Sequence, residues 1–219
     1  WYSLLPGPGY EFFSINPYTG LITTTSHLDR EKHQQFILTV EARDSGAQPL
    51  SATAKVMCFV LDDNDNPPEF MQSWFQVSLP ENLPPGVIHT VQASDPDLGE
   101  NGTLHYSVLG GDYNGRFVID SLTGAVSITQ VLDREETQNF TLTLQAQDSG
   151  PGPLSSTTQL HLVLLDENDN VPLFSREIYH ASISEGLSAG VEVLHLSAFD
   201  PDEGPNGVVT YSLTENSSN

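Results

Sequence analysis

The chain has 219 residues, of which 29 are Asp or Glu and seven are Lys or Arg, so its formal net charge is −22. A balance this acidic, without any basic stretch, excludes binding to nucleic acid or to an anionic membrane surface. The one cysteine, Cys58, cannot supply a disulfide framework, and its place in an alternating segment predicts packing as a small hydrophobe.

Short strands separated by turns are predicted along the chain. Alternation of apolar and polar residues indicates strands at 12–15, 21–24, 36–42, 53–61, 140–146 and 157–165. Residues 16–20 and 120–124 have the composition of turns. About seven short strands per hundred residues predict an antiparallel β-sandwich. The predicted core residues are Phe117, Ile119, Val126, Ile128, Leu142, Leu144, Leu160, Leu162 and Leu164.

The strongest pattern is a repeat with a period of 104 residues, from Asp62 to Asp166. The segments that recur include D-D-N-D-N as D-E-N-D-N, L-D-R-E, and A-R-D-S-G as A-Q-D-S-G. A period this long predicts a repeated domain. We expect the C-terminal part of one repeat at 1–66, a complete repeat at 67–170 and the N-terminal part of a third at 171–219, all taken from a longer protein.

The acidic pentapeptides at 62–66 and 166–170 predict a cation site, because carboxylates this close together repel one another. Hard divalent cations bind six to eight oxygen atoms from carboxylates, amides and backbone carbonyls, which is the donor set of these segments. Only a few residues, with prolines among them, join each pentapeptide to the next predicted strand. Neighbouring repeats should therefore keep a fixed orientation once the charge is neutralised.

Five ordered motifs together resemble the extracellular cadherin repeat: P-E-N, D-x-D with a following N-G, L-D-R-E, A-x-D-x-G and D-x-N-D-N. The resemblance covers the whole chain and is closest to long Fat, Dachsous or protocadherin-type members. It implies an all-β fold of tandem Greek-key, seven-stranded antiparallel β-sandwiches joined end to end. It also implies about three Ca²⁺ ions at each complete junction, a rod-like ectodomain that calcium makes rigid, and calcium-dependent cell–cell adhesion.

The resemblance also assigns the Ca²⁺ ligands. At the first junction they are Asp29, Glu31, Asp62, Asp63 (backbone oxygen), Asn64, Asp65, Asn66 (backbone oxygen), Asp95, Asp97, Asn101 (backbone oxygen) and Asp148. At the second junction they are Glu81, Asp133, Glu135, Asp166, Glu167, Asn168, Asp169, Asn170, Asp200, Asp202 and Asn206. Glutamates of P-E-N and D-R-E would bridge neighbouring ions, whereas Arg30 and Arg134 would pair with nearby acids. The first set lacks a P-E-N glutamate and the second lacks an A-x-D-x-G aspartate.

Each motif has an ordinary explanation in isolation, such as a solvated turn with a salt bridge, but repetition at a fixed distance favours calcium. An EF-hand loop starting at Asp95 fails, because Tyr106 stands where the bidentate acid is required. A carboxylate-pair hydrolase is rejected because catalytic pairs lie in one cleft, whereas these acids repeat. Trp1 falls in the middle of a repeat and is not an adhesive anchor, and Trp74 is expected to be a partly exposed packing residue.

The expected partners are other cadherin ectodomains on the same or the opposing cell, bound homophilically or heterophilically. The expected location is the extracellular side of the plasma membrane, with attachment through parts of the parent outside these residues. A competing hypothesis makes this segment a calcium-dependent partner-binding module of a signalling receptor ectodomain. Sequons at Asn101, Asn139 and Asn216 agree with an extracellular location.

Overall fold

The computed structural model describes residues 1–111 and 113–213, which form short β-strands and, in this part of the chain, one 3₁₀ turn at Tyr10–Phe12. The strands are β1 Tyr2–Leu5, β2 Phe13–Ile15, β3 Ile22–Thr24, β4 Gln35–Arg43, β5 Ser51–Phe59, β6 Glu69–Phe70, β7 Trp74–Pro80, β8 Gly86–Thr90, β9 Ala93–Ser94, β10 Leu104–Gly110, β11 Phe117–Ile119, β12 Ala125–Ile128, β13 Asn139–Asp148, β14 Ser155–Leu165, β15 Leu173–Phe174 and β16 Ala198–Phe199. The predicted all-β class is confirmed.

The chain folds into two compact units. The first unit comprises residues 1–69, 93–105 and 146–156, and the second comprises residues 70–92, 106–145 and 157–219. The sequon residue Asn216 lies outside the described residues. Within the described residues, no helix is long and apolar enough to cross a membrane.

The first unit is built around an antiparallel sheet in the order β1-β4-β5, beside the hairpin β2–β3. The register places Phe36 of β4 opposite Cys58 of β5. Phe13, Phe36 and Leu38 form a buried cluster, in which the rings of Phe13 and Phe36 meet edge to face at 5.1 Å. Cys58 is half-buried and packs against this cluster, as a small hydrophobe would.

The second unit contains two larger sheets, in the orders β10-β13-β14-β7 and β11-β12-β8, and the two-stranded sheet β15–β16. The pair β14–β7 is parallel, with Gln159 opposite Trp74, whereas β12 pairs antiparallel with both β11 and β8. Inward side chains on alternate positions form the core, because successive residues of a strand point to opposite faces. Every predicted core residue is buried except Ile119, which is half-buried where β11 ends.

The two predicted turns are confirmed and share one design. Asn16 Oδ1 accepts hydrogen bonds from the N–H groups of residues 18 and 19, both at 3.0 Å. Asp120 Oδ1 accepts the matching bonds from residues 122 and 123, at 3.0 and 2.8 Å. Each turn ends on a glycine with positive φ, 72° at Gly20 and 70° at Gly124. A side chain at Gly124 would place Cβ 2.3 Å from the Val91 carbonyl oxygen, so only glycine fits.

Candidate metal centre

Most of the predicted ligands of the first junction meet in the first unit, where three strand ends converge. We call this group the first cluster. The pentapeptide follows β5, the D-P-D segment follows β9, and Asp148 is the last residue of β13. The members of the first cluster are Glu31, Asp62, Asn64, Asp65, Asn66, Asp95, Asp97, Asn101 and Asp148.

The centre of the first cluster is a group of three carboxylates, from Glu31, Asp65 and Asp97, whose oxygen atoms lie within 4.8 Å of one another. The Asn66 amide Nδ2 donates to Asp65 Oδ1 and Asp97 Oδ1, both at 2.8 Å, and so joins two of the three. Carboxylates at this separation repel one another in the absence of a cation. The geometry therefore suits a cation that all three would contact.

Asp62 and Arg30 form the buried side of the first cluster. The Arg30 guanidinium pairs with Asp62 and Glu31, and its Nη2 donates to the Pro96 carbonyl oxygen at 2.7 Å. The Leu98 N–H donates to Asp62 Oδ2 at 2.9 Å. Burial by itself would raise the pKa of Asp62, but hydrogen bonds from Leu98 and from the Asn101 amide, together with the charge of Arg30, lower that pKa overall. The predicted pairing of Arg30 with acids is confirmed.

Three buried oxygen atoms of the first cluster find no hydrogen-bond partner among the described residues. Asp62 Oδ1 has the Arg30 charge beside it, whereas Asn64 Oδ1 and Asp95 Oδ2 have no such pairing. A buried polar atom without a partner is costly, unless a ligand completes it. Burial raises the pKa of Asp95, and the charges of Asp97 and Asp148 raise it further, against a hydrogen bond from the Asp97 N–H. Asn64 and Asp95 are both predicted ligands, so the cluster offers oxygen donors that lack a partner.

Asp148 fixes the loop that closes the first cluster. Its Oδ1 accepts the Gly150 N–H at 2.9 Å and the Asn64 Nδ2 at 3.1 Å, and its Oδ2 accepts the Leu154 N–H at 2.8 Å. A side chain at Gly150 would place Cβ 2.5 Å from Asn101 Oδ1. The A-x-D-x-G motif is therefore needed here both for its carboxylate and for the space that its glycine leaves.

Two predicted ligands of the first junction have other partners in this structure. Asp29 Oδ2 pairs with Lys32 Nζ at 2.6 Å, and its Oδ1 accepts the Lys32 N–H at 3.0 Å. These hydrogen bonds and the lysine charge lower the pKa of Asp29. The Asp63 backbone oxygen, the ligand atom expected from the resemblance, accepts the Asp65 N–H at 3.0 Å. Their roles as ligands stay predictions.

The corresponding second cluster lies in the second unit and is arranged around a buried glutamate. Glu81 is only 1% exposed, and its two carboxylate oxygens accept the N–H groups of Arg134 at 2.8 Å and Glu167 at 2.9 Å. The other members of the second cluster are Glu135, Asp166, Asp169, Asn170, Asp200, Asp202 and Asn206.

Two overlapping groups of carboxylates form the second cluster. Glu81, Glu135 and Asp169 form one group, and Glu135, Asp166 and Asp202 form the other, each with oxygens within 4.8 Å. Burial raises the pKa of Glu135, and the negative charges of Glu81 and Asp169 raise it further, against the Arg134 hydrogen bond. Glu135 belongs to both groups, which is the position that a bridging ligand requires.

Asparagine amides link the remaining acids of the second cluster. Asn170 Nδ2 donates to Asp169 Oδ1 and Asp202 Oδ1, both at 2.8 Å, which repeats the Asn66 arrangement. Asp200 Oδ1 accepts the Asp202 N–H at 3.1 Å, and both residues are buried. Asn206 Nδ2 donates to Asp166 Oδ2 at 3.0 Å. The same kind of network is therefore built twice, from residues one period apart.

The remaining predicted ligands of the second junction face outward. Asp133, Glu167 and Asn168 are exposed. Asp133 Oδ1 accepts the Glu136 N–H at 3.0 Å, and Glu167 contributes its backbone N–H to Glu81. Their assignment as ligands stays a prediction.

Two residues without a predicted role lie at the second cluster. Asn82 has a positive φ of 63°, and its Nδ2 donates to Asp169 Oδ2 at 2.5 Å. Glu203 pairs with Arg134, which also pairs with Glu135 at 3.1 Å and Asp166 at 2.9 Å. The P-E-N motif contains Asn82 and so offered a signal, whereas Glu203 directly follows D-P-D without any recurring pattern.

The N-G step that follows each D-P-D segment has a steric cause. A Cβ at Gly102 would lie 2.2 Å from the Asp97 carbonyl oxygen, and a Cβ at Gly207 would lie 2.1 Å from that of Asp202. Any side chain would therefore force the loop away from the cluster. This close approach explains why both copies keep glycine after asparagine.

The donor chemistry of both clusters fits a hard divalent cation. Every candidate ligand atom is a carboxylate, amide or backbone oxygen, which suits Ca²⁺ or Mg²⁺ better than metals that prefer nitrogen or sulfur. The crowded carboxylates and the partnerless oxygens Asn64 Oδ1 and Asp95 Oδ2 are the observations that call for a cation.

Comparison with known proteins agrees with this architecture. The family model "Cadherin domain" matches residues 1–61 and 75–165. Human Protocadherin-23 is 42% identical over 217 residues, covering 99% of this chain and 6% of that protein. Mouse Cadherin EGF LAG seven-pass G-type receptor 2 is 42% identical over 219 residues, covering 97% of this chain and 8% of that protein. The structure of mouse Cadherin-23 EC22-24 superposes with a TM-score of 0.85 at 32% identity, covering 94% of this chain and 66% of that one.

The fold defines a β-sandwich repeat protein. The chain belongs to the cadherin family, whose members matched here are adhesion ectodomains and not enzymes. It spans only a small part, 6 to 8%, of the two relatives named above.

Proposed function

We propose that both clusters bind Ca²⁺ and that calcium holds successive repeats of a longer adhesion ectodomain in a fixed orientation. The most direct support is that a site with only oxygen donors occurs twice in the chain. Each of the two clusters contains at least one group of three carboxylates. Chance acidic patches on a surface do not recur one period apart with the same amide links.

The proposed occupancy is about three Ca²⁺ ions at a complete junction, as in the family that the motifs match. The affinity we expect is weak, on the order of 10⁻⁴–10⁻³ M, as for extracellular modules. Without calcium the acids of each cluster repel one another, and Arg30 and Arg134 offset only part of that charge.

The wider role is cell–cell adhesion at the extracellular side of the plasma membrane. Its partners would be other cadherin ectodomains, on the same or the opposing cell. Supporting this, the curated relatives are protocadherins and cadherins, and one solved neighbour is described as a protocadherin gammaB7 EC3-6 cis-dimer. In this role the repeats serve as calcium-stiffened spacers.

The second candidate function is direct partner binding by this segment itself. An uncharged sheet face in the second unit favours it. A spacer would tolerate charge substitutions on that face in a cell-aggregation assay, whereas a binding module would not.

The test of calcium binding is thermal unfolding of the chain in EDTA, in about 5 mM Ca²⁺ and in about 5 mM Mg²⁺. We expect Ca²⁺ to raise the melting temperature by several degrees and to give a narrower range of dimensions in small-angle X-ray scattering. Mg²⁺ should have less effect, because it demands near-ideal octahedral geometry at shorter distances. Identical melting and scattering in EDTA and Ca²⁺ would refute the proposal.

A further inference from the structure

The outward surface of the four-stranded sheet β10-β13-β14-β7 in the second unit carries no charged side chain. Alternating burial along β13 and β14 identifies which residues point outward. On these two central strands the outward residues are Asn139, Thr141, Thr143, Gln145, Gln147, Ser155, Thr157, Gln159, His161, Val163 and Leu165. We call this surface, together with its continuation on β7 and β10, the neutral face.

The flanking strands continue the same chemistry. Their outward residues are Trp74, Gln76, Ser78 and Pro80 on β7 and His105, Ser107 and Leu109 on β10. Trp74 is 54% exposed and meets the ring of His161 edge to face at 6.2 Å. Among the described residues, the neutral face carries no Asp, Glu, Lys or Arg side chain.

The first unit shows that this neutrality is a property of one copy only. In its sheet, Glu41 on β4 and Lys55 on β5 point outward, with Lys55 opposite Thr39 and Glu41 opposite Thr53. One period later these positions are Gln145 and Gln159. The second copy thus has glutamine at both positions, where the first copy has one negative and one positive side chain.

An uncharged, partly aromatic face is unusual on a chain with a formal charge of −22. The centres of protein–protein interfaces are depleted in charged residues and enriched in aromatic ones. Exposed Trp74 and Leu109, at 54% and 56%, give the neutral face apolar contact area among amide and hydroxyl groups. These features favour burial against a partner over simple exposure to water.

We propose that the neutral face binds the neutral face of a second copy of this chain. Amide and hydroxyl groups both donate and accept hydrogen bonds, so they can pair with their own copies across a two-fold axis. A charged residue near such an axis would meet its own like charge. The chain carries 29 acidic residues and none of them lies among the outward residues of the neutral face, so face-to-face pairing brings no carboxylate of either face into the contact.

The size of the face predicts a weak dimer. Four strands about 4.8 Å apart and about seven residues long at 3.3 Å per residue cover roughly 450 Å² on each copy. The total of roughly 900 Å² lies at the low end for specific interfaces. Such a contact becomes effective when many copies are linked in long chains on a cell surface.

The test is sedimentation equilibrium of the 219-residue chain up to about 0.5 mM, in Ca²⁺ and in EDTA. The protein is made without N-glycosylation, because the exposed sequon residue Asn139 begins β13 on the neutral face itself. We expect a dimer that Gln145→Glu weakens by about tenfold or more. The control Thr90→Glu adds the same charge at an exposed position of the other sheet and should change dissociation by less than about twofold.

A charge-swap experiment guards against a general effect of added charge or misfolding. Gln159→Lys should also weaken self-association, and a mixture of Gln145→Glu and Gln159→Lys chains should associate more tightly than either chain alone. A monomer at every concentration, or equal weakening by Thr90→Glu and Gln145→Glu, would overturn the proposal. This inference deepens the proposed adhesive function, and calcium binding is judged separately by the melting temperature in Ca²⁺ and EDTA.

Discussion

The two acidic clusters have most of their candidate ligands at corresponding motif positions, but each contains one that the other lacks, and they differ in the residues that support them. In the first cluster, Arg30 pairs with two acids and also donates a hydrogen bond to the Pro96 carbonyl oxygen. In the second, Arg134 pairs with two acids of the cluster and with Glu203, which is 70% exposed. In the first copy of the D-P-D segment, Leu98 occupies the position that Glu203 has in the second copy.

A second difference concerns the segment that completes each cluster. The second cluster contains buried Glu81 from the end of β7, whereas the first contains buried Asp148 from the end of β13. Glu81 accepts backbone N–H groups from two separate segments, whereas the backbone groups that Asp148 accepts belong to its own loop. Similar sets of candidate ligands are therefore held in place by different supporting residues. The two clusters should then respond differently to substitution.

The largest effect is expected from Glu81→Ala. It leaves the buried N–H group of Arg134 and the partly buried N–H group of Glu167 without an acceptor, so the free energy of unfolding of the second unit should fall by about 2–4 kcal/mol. Urea unfolding in EDTA measures this without the contribution of calcium. The matched control is Glu185→Ala, at the same motif position one period later, where the side chain is exposed. Equal losses for the two variants would show that burial of Glu81 is unimportant.

The next effect is expected from Asp148→Asn, which removes one carboxylate from the first cluster. Calcium affinity there should fall by about tenfold or more, because ligand charge sets affinity in such sites. Asp44→Asn is the control, since Asp44 closes the same kind of loop by accepting the Gly46 and Leu50 N–H groups at 3.0 and 3.1 Å. Calorimetric titration with Ca²⁺ should distinguish the two variants, and a similar loss in both would remove Asp148 from the ligand set.

A smaller effect is expected from exchanging the residues at positions 98 and 203. Glu203→Leu removes an exposed partner of Arg134. The positive charge of Arg134 is then left to compete with Ca²⁺ for Glu135 and Asp166. We expect a two- to fivefold loss of calcium affinity at the second cluster, in line with an exposed ion pair of about 0.3–1 kcal/mol. Leu98→Glu should produce a gain of similar size at the first cluster. Changes of the same sign in both variants would contradict this account.

The sequence predicted the strands and the central ligands because both depend on local or repeated patterns. Alternation placed β4, β5, β13 and β14 to within two residues at every end. The repeat indicated Glu31, Asp65 and Asp97, which the structure brings together.

Features that depend on distant contacts were not predictable in the same way. The parallel pairing of β14 with β7 joins segments far apart in the chain. The contact of Glu203 with Arg134 spans 69 positions and belongs to no motif. Ile119 alternates correctly with its neighbours, yet it is only half-buried because β11 ends there. Periodicity specifies the face of a residue, whereas its depth depends on what packs over it.

The smallest expected effect is a difference between the two units in how far their stability declines as the pH falls. Burial lowers the pKa of His89, whose Nε2 is buried with no hydrogen-bond partner among the described residues and whose ring packs 5.2 Å from that of Phe75. Because the folded state favours neutral His89, this residue's contribution to stability is complete above the unfolded pKa of about 6.5 and is lost as pH falls below it. His89→Leu should therefore flatten the decline of melting temperature between pH 7.5 and about pH 5.5 in EDTA. His33→Leu in the first unit is the control, since that ring also packs on a phenylalanine, at 5.4 Å, but is exposed. If both variants flatten the profile equally, acid sensitivity does not arise from the buried ring of the second unit.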